Sequence, residues 1–313
     1  FSSKIDDDLA RRDFTINAMA VRLDLPEPLE LIDPHGGSAD LAAGVIRMVS
    51  EEALREDPLR TLRAIRYVST LDGFKIEEST ESTISRHAMA IDKVSNERVQ
   101  TEWERLLGGP HWVSALRLAF DLGVGERTFG RLADLGTVSA WSGFEATVSG
   151  LMPQDYRQLR LAALLCGFGD ANFSMGERLI ERRWPAALAR RATLICSWAM
   201  AAPGADDNQM VGWAIEDHEI ASLAACLVRA LSADDEQNAV AALQLETYAT
   251  RAAETPWIRG MDLISWGMKE GPVLGALLEQ TARGQVKRRW ESCKEAHSWA
   301  RAHVTDNLSE MGH

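Results

Sequence analysis

The sequence predicts a mainly α-helical protein with a small α/β segment at its start, and three observations support this class. Strand-like runs lie almost entirely before Ser50, and after it apolar residues recur at helical spacing in one segment after another. At 313 residues the chain exceeds one typical domain, and 46% hydrophobic residues suffice for a packed core. We therefore expect two or more subdomains, most of them helical.

The first motif follows an acidic lead, Asp6 to Asp8, and begins with Arg11 and Arg12. We expect Asp13 to cap a short helix whose N-terminus, together with the two arginines, would attract phosphate. The alternative is a capped helix with two surface arginines. We interpret the acidic lead as a solvated helix start rather than as a metal site.

A hairpin is expected next. Strand-like runs at residues 20–25 and 29–32 flank a Pro-Glu-Pro turn at residues 26–28. The segment 33–37, Asp-Pro-His-Gly-Gly, follows as a loop. A single glycine pair favours a turn or hinge over a phosphate cradle.

From Ser50 onward the pattern predicts helices joined by short loops. The predicted helices cover residues 56–66, 95–107, 112–122, 156–166, 175–200, 211–230, 234–253 and 272–283. Ser95, followed by Glu97 and Arg98, indicates the start of the second of these helices. Pro185 predicts a break or kink within the fifth.

Two stripes run along the helix predicted at residues 56–66. The polar stripe consists of Asp57, Arg60, Arg63 and Arg66, which are spaced three residues apart and share one face of a helix. The apolar stripe consists of Leu59, Leu62 and Ile65. We expect the apolar stripe to be buried and the polar stripe to bind a ligand.

The chemistry of the polar stripe suits a nucleotide. A carboxylate accepts hydrogen bonds and a guanidinium donates them, so Asp57 and Arg60 together match the amine and ring nitrogen of cytosine or adenine. Guanine and uracil present the opposite pattern. Arg63 and Arg66 are candidates for binding phosphate. The alternative is that Asp57 caps the helix before Pro58 and that the arginines form a solvated face with local ion pairs.

The overall charge argues against a non-specific nucleic-acid binder. The chain has 34 Lys and Arg against 46 Asp and Glu, a formal net charge of -12. A polyanion must therefore be bound by a local basic patch. One candidate for RNA contact is the cluster Lys287, Arg288 and Arg289. An exposed helix with scattered charges explains this cluster equally well.

The four cysteines are far apart and form no metal-like pairs, so we expect reduced core thiols and no zinc site. No apolar run is long enough to span a membrane, and no secretory signal is recognisable. These features predict a soluble, cytoplasmic protein. The chain begins at Phe1 and enters charged helix almost at once, which predicts that it starts inside a longer protein.

Four motifs follow one another along the chain. They are RRDFTINAMA at Arg11–Ala20, DPHGGSADL at Asp33–Leu41, EDPLRTLRAIR at Glu56–Arg66 and SNERVQTEWERLL at Ser95–Leu107. In this order they resemble the class II tRNA nucleotidyltransferase and bacterial poly(A) polymerase family, with the greatest likeness to bacterial CCA-adding enzymes. The segment Gly260–Gly275 is similar to the C-terminal region of that family. The resemblance thus covers nearly the whole chain.

The resemblance implies an α/β nucleotidyltransferase head, of which residues 1–50 are the C-terminal part, and an all-helical neck, body and tail at residues 51–110, 111–215 and 216–313. It implies that Arg12 binds triphosphate, that Asp57 and Arg60 read the base of CTP or ATP, and that Arg63 and Arg66 complete the nucleotide site. Further motif residues expected to support the site are Arg11, Asp13, Asn17, Asp33, Gly37, Glu56, Glu97 and Arg98. Body and tail are expected to bind the tRNA acceptor end.

The sequence departs from the family in one respect. The family's Gly-Gly-x-Val-Arg-Asp loop and the Asp-x-Asp pair that holds Mg2+ occur nowhere in the 313 residues. We therefore expect the chain to be the C-terminal majority of a longer enzyme and, by itself, to bind nucleotide weakly and not to catalyse. The missing carboxylates would come from an upstream segment or from a partner polypeptide.

The resemblance favours CCA addition, or partial CC or A addition, in which the 3′-hydroxyl of tRNA attacks the α-phosphate of CTP or ATP and pyrophosphate is released. Poly(A) polymerase activity is the alternative within the family. From other classes, a non-catalytic RNA-binding module and a helical scaffold with a decayed head remain open.

Overall fold

The computed structural model describes residues 5–23, 30–130, 144, 153–168, 172–231 and 235–310. The chain divides into two compact units, Phe1–Ser142 with Gly150–Thr193, and Gly143–Ser149 with Leu194–His313. Helices make up most of the described residues of both units, which confirms the mainly α-helical class. The division into head, neck, body and tail stays a prediction.

The first unit begins with helix α1, Ile5–Leu9, and a short 3-10 helix, Thr15–Asn17. Strands β1, Ala20–Val21, and β2, Leu31–Ile32, then pair antiparallel, with Ala20 opposite Ile32. The predicted hairpin is therefore confirmed in its pairing. Its expected turn at residues 26–28 lies outside the described residues.

A second strand pair was not expected. After α2, Gly37–Ala43, strand β3, Val45–Ile46, pairs parallel with β4, Lys75–Ile76. The paired residues Val45 and Lys75 lie 30 positions apart, and a parallel pair has no connecting turn that a sequence pattern could reveal.

The rest of the first unit is helical. Its elements are α3, Glu51–Glu56; α4, Leu59–Thr70; α5, Glu78–His87; a 3-10 helix, Ala88–Lys93; α6, Asn96–Gly108; α7, Trp112–Asp121; α8, Val124–Phe129; α9, Pro153–Cys166; and α10, Asn172–Glu181. Helix α11, Ala186–Ala201, comes next. The predicted break at Pro185 is confirmed, because α10 ends before this proline and α11 begins after it.

Helices α4 and α6 pack against each other in the core of this unit. The apolar stripe of α4, formed by Leu59, Leu62 and Ile65, is buried as predicted. Trp103 of α6 is also fully buried. At the C-terminal ends of the two helices the Ser69 hydroxyl donates to the Leu106 carbonyl oxygen at 2.6 Å. The apolar face of α4 therefore fixes the direction in which its polar stripe points.

The second unit contains α12, Asp207–Glu216; α13, His218–Leu231; α14, Glu236–Ala252; α15, Gly260–Ser265; α16, Pro272–Val286; and α17, Cys293–Glu310. The single helix predicted at residues 211–230 is wrong. Asp217 divides it, because its carboxylate accepts from the Ile220 backbone N–H at 3.0 Å and so starts a second helix. Helices α15 and α17 were not predicted.

The cysteines are free thiols, but they are not all in the core. Cys166 and Cys196 are buried, Cys226 is half-buried and Cys293 is exposed. The expectation of core thiols is therefore wrong for Cys293, which lies at the first position of α17. Each helix in the described part of the chain is too short or too polar to cross a lipid bilayer.

Candidate nucleotide-binding site

Asp57 lies in the junction between α3 and α4. Its Oδ1 accepts from the Leu59 backbone N–H at 3.3 Å, and its carbonyl oxygen accepts from the Arg60 N–H at 3.0 Å. The predicted cap is displaced by one residue, because Pro58 already has helical dihedral angles of φ -61° and ψ -18° and holds the N-cap position. The Asp57 carboxylate nevertheless bonds a first-turn N–H group, as a capping residue does.

Two further contacts hold the side chains of Asp57 and Arg60, the pair that is expected to read the base. Arg98, in the first turn of α6, donates from Nη2 to Asp57 Oδ2 at 2.7 Å. Arg60 donates from Nη1 to the Ala53 carbonyl oxygen of α3 at 2.9 Å. A carboxylate has about four lone-pair positions, so Asp57 retains acceptor capacity for a ligand. Arg60 likewise retains N–H donors on its other nitrogen atoms.

Arg63 joins α4 to the first motif. It donates to Asp13 Oδ2 from Nε at 2.9 Å and from Nη2 at 2.6 Å. Asp13 also accepts from the Phe14 N–H and from Asn17 Nδ2. Burial alone would raise the pKa of the Asp13 carboxyl, but the hydrogen bonds from Asn17, Arg63 and Phe14 hold it below its ordinary value.

The expected cap at Asp13 is therefore wrong. Phe14 precedes the 3-10 helix, and its side chain makes no cap hydrogen bond. The Asp13 carboxylate instead binds Arg63, which lies 50 residues further along the chain. The 3-10 helix has three residues, too few to present the N-terminal phosphate site that the sequence suggested.

Glu102 is the residue that the sequence analysis missed. It is buried, and its carboxylate accepts from Arg66 Nε at 2.7 Å and from Arg105 Nη1 at 3.1 Å. Arg63 Nη1 lies 4.0 Å from the same carboxylate. The available signal is the spacing of Arg98, Glu102 and Arg105, which share one face of α6. Contact of Arg63 and Arg66 with phosphate stays a prediction, since both are engaged in ion pairs.

Of the other residues of the first motif, Arg11 and Arg12 lie at the surface, and Asn17 contacts α4. Arg12 Nη2 donates to Asp8 at 2.7 Å, and both side chains are about half exposed. Arg11 is exposed as well. Asn17 Nδ2 donates to the Tyr67 hydroxyl at 3.0 Å, which links the first motif to α4.

The glycine loop is a turn, as expected. Asp33 accepts from the Gly37 N–H at 2.6 Å and from the Ser38 N–H and hydroxyl at 2.9 and 2.7 Å. Hydrogen bonds from Ser38, followed by those from Gly37, lower the pKa of the Asp33 carboxyl. A Cβ atom at Gly37 would lie 2.1 Å from the Thr15 carbonyl oxygen. The second motif therefore packs directly against the first.

Of the other motif residues, Glu56 is exposed at the end of α3, and Glu97 faces Arg183 at 3.6 Å on the surface.

The basic cluster of Lys287, Arg288 and Arg289 belongs to the second unit. Lys287 Nζ donates to Asn208 Oδ1 at 2.7 Å, Arg288 forms an ion pair with Glu254, and the Arg289 guanidinium lies 4.9 Å from the centre of the Trp299 ring. Because these cations have partners inside the protein, RNA contact through them stays a prediction.

Two family models match the chain. Residues 1–47 match the poly A polymerase head domain, and residues 73–134 match a probable RNA and SrmB-binding site of polymerase A. The chain is 30% identical over 312 residues to the CCA-adding enzyme of Anoxybacillus flavithermus, a match that covers 96% of this chain and 72% of that relative.

A second sequence match covers a shorter part of the chain, and one solved structure is similar over almost its whole length. The chain is 41% identical over 126 residues to the CCA-adding enzyme of Latilactobacillus sakei, which covers 40% of this chain and 30% of the relative's length. The structure of the Bacillus stearothermophilus CCA-adding enzyme in complex with CTP is similar with a TM-score of 0.69 at 26% identity. That match covers 99% of this chain and 77% of the other.

Proposed function

This chain belongs to the family of the bacterial CCA-adding enzymes and poly(A) polymerases, and from this premise we propose that it serves the template-independent addition of C and A nucleotides to the 3′ end of tRNA. In this reaction the terminal 3′-hydroxyl attacks the α-phosphate of CTP or ATP, and pyrophosphate leaves. The observation that carries the proposal is the junction of α3 and α4, where Asp57 and Arg60 are each held by a second contact.

Base selection follows from the hydrogen-bonding capacity of this pair. The Asp57 carboxylate accepts from the exocyclic amine of cytosine or adenine, and Arg60 donates to the neighbouring ring nitrogen. Guanine and uracil present a carbonyl beside a ring N–H, which places acceptor against acceptor and donor against donor. An unpaired polar group in the site costs about 1–3 kcal/mol, enough to exclude the wrong base. CTP and ATP thus share one site without a template.

The triphosphate is assigned to Arg12, whose guanidinium is already at the surface. Arg63 and Arg66 complete the nucleotide site as a cationic face held in position by Asp13 and Glu102. Because both arginines keep unused N–H donors, they can interact with phosphate while their ion pairs persist.

Mg2+ is part of the proposal only because the resemblance to the family implies it. Among the residues that the structure describes, no cluster of three or more His, Cys, Asp or Glu side chains could hold a metal ion. Asp8 pairs with Arg12, and the aspartates beside it are exposed. These residues do not fit a magnesium site.

The proposal extends to the helical parts of the chain and to its location. The segments 111–215 and 216–313 are proposed to bind the tRNA acceptor end through its backbone and shape. A cytoplasmic location is proposed as well, in keeping with the four free thiols.

The test compares the affinities of the chain for CTP, ATP, GTP and UTP by calorimetry. We expect tighter binding of CTP and ATP, and loss of this preference in Asp57→Ala. The matched control is Asp72→Ala, which removes an exposed carboxylate beyond the other end of α4. Equal affinity for all four nucleotides, or an Asp57→Ala variant that keeps the preference, would contradict the proposal.

Poly(A) polymerase activity is the second candidate, because the matching family models are named for that polymerase. It predicts binding of ATP without CTP. Binding of tRNA that lacks its 3′ end, without binding of either nucleotide, would instead favour a non-catalytic RNA-binding module.

A further inference from the structure

A polar cavity of about 460 Å³ lies in the first unit, apart from the residues of the nucleotide site. It is lined by residues of α6, α8, α10 and the 3-10 helix Ala88–Lys93, and by Val94 and Arg182, which lie just outside these helices. Its charged lining residues are Arg127, Arg178, Arg182, Asp92, Glu126 and Glu181. Three arginine side chains thus line one open space.

The three arginines that line the cavity differ in their side-chain partners. Arg127 forms an ion pair with Asp92, and its Nε lies 3.1 Å from the carboxylate. Within the described part of the chain, the side chains of Arg178 and Arg182 have no hydrogen-bond or ion-pair partner. Arg178 Nη1 lies 3.2 Å from the position that a Cβ atom of Gly130 would occupy, so its guanidinium packs closely over the backbone.

In the part of the chain that the structure describes, Arg178 and Arg182 are two cations without a side-chain partner about one helical turn apart, which favours an anion between them. Arg182 directly follows the last residue of α10, and its backbone N–H still donates to the Arg178 carbonyl oxygen at 3.0 Å. Residues at i and i+4 in such a turn are neighbours, and like charges there repel each other. An anion bound by Arg178 and Arg182 would remove this repulsion. A guanidinium binds the oxygen atoms of a phosphate through two parallel N–H donors.

The carboxylates limit what the cavity can bind. Asp92 is neutralised by Arg127, while Glu126 and Glu181 are exposed. With three basic and three acidic side chains the lining has no formal excess of charge. It therefore suits one phosphodiester group placed against Arg178 and Arg182, rather than a highly charged polyphosphate.

The sequence around the cavity favours RNA as the source of that phosphodiester. Asp92, Asn96, Glu126 and Arg127 all lie within residues 73–134, the region that matches a probable RNA-binding site. We propose that the cavity between α6, α8 and α10 binds a backbone phosphate of RNA, with Arg178 and Arg182 as its ligands. The inference rests on the proposed function in so far as both concern RNA.

The test is the affinity of the chain for two RNAs, a tRNA lacking its 3′ end and an unrelated RNA duplex, measured by fluorescence anisotropy over a range of salt concentrations. The variant is Arg178→Gln with Arg182→Gln. The matched control is Arg117→Gln with Arg190→Gln, which removes two exposed arginines of the same unit that do not line the cavity. Circular dichroism verifies that both variants fold.

We expect the cavity variant to bind RNA about tenfold more weakly and to lose about one unit of the slope of log affinity against log salt. We expect the control variant to behave like the unmodified chain, and CTP binding to be unchanged in both. Equal weakening in both double variants would overturn the inference, since general charge would then account for the effect.

Other outcomes separate this inference from the proposed function. If the unmodified chain binds both RNAs equally and the cavity variant weakens both, the phosphate site stands and the tRNA preference fails. If the cavity variant binds RNA normally but no longer binds pyrophosphate in a calorimetric titration, the site holds a small free anion and the RNA inference is overturned. If the unmodified chain binds neither RNA, both proposals fail.

Discussion

Arg98 donates to the Asp57 carboxylate at 2.7 Å across 41 residues of sequence. The contact joins the start of α6 to the junction before α4. Because the Asp57 carboxylate also accepts from the Leu59 N–H at 3.3 Å, both of its oxygen atoms are held. The orientation of the proposed base-reading acceptor is thus set by two separate segments of the chain.

Arg98→Gln is expected to weaken binding of CTP and ATP about tenfold, because a charge-assisted hydrogen bond that orients Asp57 is lost. The free energy of unfolding should change by less than about 1 kcal/mol, since the pair is partly exposed. Calorimetric titration with each nucleotide and urea unfolding measure the two effects. Arg55→Gln, which breaks an exposed ion pair on α3, is the control. Unchanged nucleotide affinity in Arg98→Gln would contradict the orienting role.

Glu102→Gln is expected to lower the free energy of unfolding by about 3–5 kcal/mol, because buried arginine charge loses its compensating carboxylate. Glu102 is 3% exposed and pairs most closely with Arg66, which is itself mostly buried. Urea unfolding followed by circular dichroism measures the change. Glu104→Gln, two residues along the same helix, should cost less than about 0.5 kcal/mol. Similar values for the two variants would show that the pair with Arg66 contributes little.

Gly37→Ala is expected to destabilise the protein by at least about 2 kcal/mol, because its Cβ would overlap the Thr15 carbonyl oxygen. Gly36→Ala is the matched comparison. No atom lies within 4 Å of a Cβ at Gly36, but its φ of 75° is left-handed, so alanine there should cost about 1–2 kcal/mol. Thermal and urea unfolding rank the two variants, and a more stable Gly37→Ala than Gly36→Ala would refute the packing argument.

The Glu77 carboxylate caps α5 and gives the stability a dependence on pH. Hydrogen bonds from the Ser79 hydroxyl and from Thr80 lower the pKa of Glu77 from 4.5 to about 2. The stabilisation is therefore present above the unfolded pKa near 4.5 and is lost as the pH falls towards 2. Glu77→Gln should cost about 1 kcal/mol near neutral pH.

The difference between the unmodified chain and Glu77→Gln should shrink steadily when urea unfolding is repeated at about pH 4 and about pH 3. Glu78→Gln, at the exposed neighbouring position, is the matched control for this comparison. A constant difference between the unmodified chain and Glu77→Gln at all pH values would disprove the assigned pKa.

Features with a local signal could be predicted from the sequence. Leu59, Leu62 and Ile65 repeat at a helical period, so burial of that face was predictable. Pro185 lacks the backbone N–H that a continuing helix requires, so the break could be anticipated. Asp217 divides a continuous apolar pattern through one side-chain hydrogen bond, which the periodicity does not reveal.

The site was harder to predict because its contacts are distant in sequence. The spacing of Arg63 and Arg66 reveals a cationic stripe, but it does not reveal the carboxylates opposite. Asp13 lies 50 residues before Arg63, and Glu102 lies 36 residues after Arg66. Pairing over such distances depends on how helices pack, and a single sequence contains no local mark of it.

The links between α4 and α6 also determine when the site can form. Asp57 with Arg98, Arg66 with Glu102, and Ser69 with Leu106 join residues 41, 36 and 37 positions apart. During synthesis α4 therefore leaves the ribosome well before the residues that orient its polar face. A nascent chain that ends before α6 contains the third motif but lacks the contacts that orient its side chains, so the proposed nucleotide site forms only when α6 has docked.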